Sequence, residues 1–193
     1  MFIQTEATRN PATLKFFPGK PLMNGWGLNQ ATVDFADAAS GSRSPLASAL
    51  FTIPEVTRVF FGADFLTVTK KDGVDWRHLK PAILGIIMEH YSRGLPLFEV
   101  GASDDVVEEK VYEGEDAEIV AQIKELIETR VRPAVANDGG DIVFKGFDGG
   151  SGTVFLQMRG ACSGCPSSAI TLRNGIENML RHYIPEVSGV EQV

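Results

Sequence analysis

The chain has 193 residues, 44% hydrophobic and 22% charged, proportions ordinary for a soluble globular protein and enough for one large domain or two small ones. Its net charge of −7 is concentrated, because residues 103–118 hold eight acids and one base while the parts on either side are close to neutral. No run of lysine and arginine offers the basic surface that a nucleic-acid backbone needs, and no apolar run approaches the roughly 20 residues of a membrane span, so neither nucleic acid nor membrane is expected as a partner.

Residues 1–8 read as a strand broken by Asn10-Pro11, and residues 13–17 as its returning partner before Pro18-Gly19. Residues 32–35 could add a short edge strand. Ser44-Pro45 starts a helix, a hydroxyl cap followed by proline at the first helical position, and Leu46, Ala49, Leu50 and Ile53 then recur at helical spacing. Beyond Pro54, residues 56–61 and 65–69 form a hairpin around Gly62-Ala63-Asp64. Asp75 caps a helix over residues 76–92, and Gly94 ends it. This first body, residues 1–101, is thus β-β-α-β-β-α and large enough for its own core. His78 and His90 sit on its second helix with no cysteine or carboxylate at metal-ligand spacing, and read as solvated or capping residues. Trp26 and Trp76 read as packing or partner-surface residues. The body carries no catalytic constellation and reads as a scaffold or docking module.

Residues 102–116 form an acidic linker. Like charges and the lack of an apolar period argue for a tether, against which Val106, Val107, Val111 and Tyr112 could make passing contacts. The second body, residues 117–193, opens with Ile119, Ile123, Ile127 and Val131, stepping by four as a core-facing helix does. Pro133 should kink or tighten its last turns, and Asn137-Asp138-Gly139-Gly140 should end it. Residues 141–147 and 153–159 are strands around a glycine-rich loop, with Val154, Leu156 and Met158 on one face. A helix follows from about Ser167 to before Pro185, then a short strand over residues 187–193. The second body is therefore α-β-β-α-β, and the fold class is α+β with two small domains. Ile53-Pro54-Glu55-Val56 is echoed by Ile184-Pro185-Glu186-Val187, the same helix-to-strand junction used twice.

Both cysteines, Cys162 and Cys165, lie in Gly160-Ala161-Cys162-Ser163-Gly164-Cys165-Pro166. With no secretory signal in view, a close pair of this kind suits a reducing compartment: a bacterial cytoplasm, or a mitochondrial matrix after removal of a transit peptide. Pro166 at the first helical position would make Cys165 the cap, where the helix end favours a thiolate. Glycine, serine and proline surround the pair instead of apolar side chains, so both sulfurs are expected at the surface. Three chemistries compete. An iron–sulfur cluster normally takes four cysteine ligands and a structural zinc four ligands, of which one chain supplies two, so either site would require a homodimer. A thiol–disulfide oxidoreductase also uses C-x-x-C between strand and helix, although the β-hairpin entering the motif counts against a thioredoxin-like fold.

Asp138-Gly139-Gly140-Asp141 and the cysteine segment through Ser168 resemble the C-terminal domain of NifU, as found in the Nfu iron–sulfur carriers. Met1-Phe2-Ile3-Gln4-Thr5, Leu14-Lys15-Phe16, Arg43-Ser44-Pro45-Leu46 and Val59-Phe60-Phe61-Gly62 resemble the family's N-terminal domain. The resemblance implies a scaffold or carrier, not an enzyme, with Cys162 and Cys165 as the ligands. It implies a [4Fe–4S] cluster, with [2Fe–2S] as the alternative, held between two chains and passed to apo-proteins. Upstream cluster-assembly proteins and clients such as lipoyl synthase, aconitase or respiratory iron–sulfur subunits are its implied partners.

Overall fold

The computed structural model describes residues 1–23, 32–99, 110–163 and 166–193, the last of these with side chains from Ala169 onward. Trp26, Cys165 and most of the acidic linker lie outside the described residues. The chain separates into two compact units, Met1–Asp105 and Val106–Val193.

In the first unit, β1 (Gln4–Ala7), β2 (Thr13–Phe17), β3 (Val33–Phe35), β4 (Val56–Phe61) and β5 (Leu66–Lys70) form one antiparallel sheet in the order β1-β2-β5-β4-β3. The register pairs Phe16 with Leu66 and Val59 with Val68, which puts these side chains on one face. There they share a core with Leu46 and Leu50 of α2 (Pro45–Leu50) and with Ile83 and Ile87 of α3 (Trp76–Ser92), all fully buried. The expected edge strand is β3. One element was not expected: α1 (Ala38–Gly41) has no apolar period and exists through a capping box, in which Ser40 N–H donates to Asp37 Oδ1 at 2.7 Å. Ser44 and Asp75 cap α2 and α3 as the sequence suggested.

In the second unit, α4 (Glu115–Leu126) runs into a π-turn (Ile127–Val131) and then α5 (Arg132–Asn137). Pro133 has no N–H to return to the preceding turn, and the helix widens here instead of tightening. The turn keeps Ile127 and Val131 in the core. Strands β6 (Gly140–Asp148) and β7 (Thr153–Gly160) make an antiparallel hairpin. A single 3-10 turn (Ala161–Ser163) and α6 (Pro166–Tyr183) then carry the chain to β8 (Gly189–Gln192), which pairs parallel with β7. Ile142, Leu156, Ile176 and Leu180 are buried between sheet and helices. Tyr112 belongs to this unit: its hydroxyl accepts the Phe147 N–H at 2.8 Å, and its ring lies 6.4 Å from that of Phe144. That end of the acidic stretch is fastened to the edge of β6. The echoed junction is real, since Val56 N–H donates to Ile53 O at 3.0 Å and Val187 N–H to Ile184 O at 3.1 Å.

Candidate functional site

The thiol segment begins where β7 ends. Gly160 has φ 64°, a left-handed angle that turns the strand directly into the 3-10 turn carrying Cys162. The Ser163 hydroxyl closes that turn by donating to Gly160 O at 2.8 Å. The facing strand is arranged to match. Gly139, at φ 79°, bends the exit of α5 into β6, and its carbonyl accepts the Ala161 N–H at 3.2 Å. Gly140 stands opposite Gly160 in the register.

Gly140 leaves space that Cys162 fills. A Cβ at Gly140 would lie 2.5 Å from Cys162 Sγ and 2.8 Å from the Arg159 carbonyl oxygen, so no larger residue fits with the thiol in place. Cys162 is only 8% exposed and packs in the apolar cluster with Ile142 and Met158. The expectation of a surface sulfur is therefore wrong for Cys162. Its neighbours in sequence are small, but the missing side chain across the hairpin lets the loop sink into the core. Cys165 lies outside the described residues. The helix that follows starts at Pro166, as the placement of a proline at the first helical position requires.

An ion pair between the half-buried Arg132 and the buried Asp141 stands beside Gly140. Arg132, the first residue of α5, donates from Nε to Asp141 Oδ1 and from Nη2 to Asp141 Oδ2, both at 2.8 Å. Asp141 Oδ1 also accepts the Ile142 N–H at 2.8 Å, and Asp141 is 3% exposed. Arg132 reaches the exposed Glu128 with its remaining Nη1. The hydrogen bonds that Arg132 donates to Asp141, and secondarily to Glu128, raise its pKa despite partial burial, so the guanidinium stays charged. The sequence reading passed over Arg132 as a functional residue.

The histidines correct the sequence reading in one respect. His90 is 5% exposed, not solvated, and burial pushes its pKa down, favouring the neutral ring. Trp76 packs as expected, with Nε1 donating to Pro11 O at 3.0 Å. Among the described residues no group of three or more His, Cys, Asp or Glu is placed to hold a metal ion.

Two family patterns match the chain: residues 3–94 match "Scaffold protein Nfu/NifU N terminal" and residues 123–191 match "NifU-like domain". The human "NFU1 iron-sulfur cluster scaffold homolog, mitochondrial" is 52% identical across the whole of this chain, which covers 72% of that protein. The chain belongs to the Nfu/NifU family. A second relative of this Nfu-family chain, "NifU-like protein 4, mitochondrial" of Arabidopsis thaliana, is 54% identical over 100% of the chain and 66% of its own length. The Nfu chain thus spans about two thirds of that relative. A solution structure of a NifU-like protein from Saccharomyces cerevisiae is 27% identical with a TM-score of 0.43, over 51% of this chain and 85% of that one.

Proposed function

We propose that the protein is an iron–sulfur cluster scaffold that takes a [4Fe–4S] cluster between two copies of the chain, through Cys162 and Cys165 of each, and hands it to apo-proteins. The observation that carries this reading is a ligand deficit. The sequence holds two cysteines, Cys162 and Cys165, lying between β7 and α6, half of what a cluster normally takes from cysteine. A cluster needs about four thiolates, so two chains must contribute. Membership of a family whose relatives are named as iron–sulfur cluster scaffolds supports iron over zinc.

The cluster is cargo, and the chain acts as a carrier and not as an enzyme. Transfer is ligand exchange: a client thiolate bonds to iron as a thiolate of this chain leaves, with no change in oxidation state and no need for free iron. Two bonds per chain let each half of the site release in turn. Cys162 must lift from its contact with Gly140 to reach a cluster shared with another chain, which makes the 3-10 turn the moving part. The word "mitochondrial" in the relatives' names favours that compartment over the bacterial cytoplasm. Anaerobic reconstitution followed by iron, sulfide and mass analysis tests the reading. The expected result is about four iron and four sulfide per pair of chains with dimerisation on loading. A full cluster on a monomer, or tightly held zinc in its place, would refute it.

A further inference from the structure

The Arg132–Asp141 ion pair joins a half-buried guanidinium to a buried carboxylate. Asp141 is almost wholly buried, and both of its oxygens are engaged by one guanidinium while one of them also holds the next backbone N–H. The pair ties α5 to the first residues of β6. Beside them lie the residues that meet the thiol turn: Gly139, just before β6, through its carbonyl to Ala161, and Gly140 through the side-chain space that Cys162 fills. Any rocking of α5 against β6 moves Gly139 and Gly140 together, and with them the floor beneath Cys162. A two-pronged contact resists rotation as well as separation, which a single contact does not.

We propose that Arg132 and Asp141 are positioning residues for Cys162, fixing how readily its thiol leaves the contact with Gly140 and so how quickly a cluster is taken up and given away. The part concerning the cluster rests on the proposed function; the part concerning the thiol does not. Arg132 acts through Asp141, and Asp141 through the backbone of Gly140. Glu128, which meets Arg132 from the solvent side, makes a smaller contribution.

The test uses the full chain with Arg132→Lys, which keeps the charge and loses the fork, and Glu128→Gln, which removes only the charge of the exposed contact. Two rates are followed: alkylation of Cys162, resolved by mass spectrometry, and amide exchange at Val154 and Leu156 in β7 as the measure of general loosening. Arg132→Lys should speed Cys162 alkylation about tenfold, since lysine cannot reproduce a bidentate contact. Glu128→Gln should speed it about twofold, the scale of an exposed ion pair. The β7 amides should hold their wild-type rates. After reconstitution, loss of cluster to a chelator should rise in the same order. Unchanged Cys162 alkylation in both variants overturns the proposal, and so does a matching rise in β7 exchange, which would make the pair a general brace. If Arg132→Lys does not fold, Glu128→Gln decides alone. If no variant or wild-type chain takes up a cluster while the alkylation order holds, the proposed function fails and the positioning role stands.

Discussion

Replacing Gly140 with alanine tests the packing of the thiol turn directly. The added methyl would sit 2.5 Å from Cys162 Sγ, 3.2 Å from its Cβ and 2.8 Å from the Arg159 carbonyl oxygen. The sulfur can swing away, but the carbonyl belongs to the β7 backbone, held in register against β6. Forcing one carbon into such a site costs about 1–3 kcal/mol. Gly140 is not among the glycines with positive φ, so alanine also narrows the unfolded ensemble and returns about 0.4–1 kcal/mol. Taken at the middle of the two ranges, the net is a loss of about 1.3 kcal/mol. For a unit the size of Val106–Val193, each kcal/mol moves the midpoint by roughly 4–8 °C, so thermal unfolding of this unit should fall by roughly 5–10 °C. Calorimetry on the full chain should show that transition moving while that of Met1–Asp105 stays in place, with Cys162 alkylated faster because the methyl displaces it. An unchanged or raised midpoint would show that Cys162 does not occupy the space above Gly140, and the account of the buried thiol would be wrong.

Three further outcomes are expected. Cys162→Ala and Cys165→Ala should each abolish cluster uptake, read from visible absorbance after reconstitution. Cys162→Ala should also lower stability to urea by about 1 kcal/mol, the scale of one buried methylene-sized group; a variant as stable as wild type would contradict its burial. At the other end of the chain, the side-chain hydrogen bond from Arg77, joined by the Arg77 backbone N–H, lowers the Asp75 carboxyl from 3.8 to about 2. A depressed folded pKa stabilises above the unfolded value and loses that stabilisation as pH falls through the folded one. The melting temperatures of wild type and Asp75→Asn should therefore differ above pH 3.8 and converge by about pH 2, as measured by circular dichroism.

What the sequence made legible was whatever depends on near neighbours. Asp75 and Gly94 bound α3 because a cap and a left-handed glycine act within one turn. The cysteine pair, and the proline that begins α6, could be read for the same reason. The burial of Cys162 could not, because it depends on a side chain that Gly140 lacks, across a hairpin whose register the sequence does not print. Arg132 and Asp141 were equally hidden: no helical or strand period links a residue on a helix to one nine positions on in the following strand. Pro133 announced a disturbance but not its sense, since a missing N–H allows the helix either to tighten or to widen. His90 was misread because it shares the buried face of α3 with Leu79, Ile83 and Ile87, a face on which the sequence reading did not place it.

The floor under Cys162 is made by one hairpin. Gly139, Gly140 and Gly160 all come from β6, β7 and the residue before them, whereas β8 reaches β7 only after the crossover of α6. Contacts of short sequence separation close faster than those that wait on a crossover. During refolding the hairpin can therefore close before β8 has docked beside β7. The approach of Cys162 to Gly140 can thus be set before the parallel strand completes the sheet.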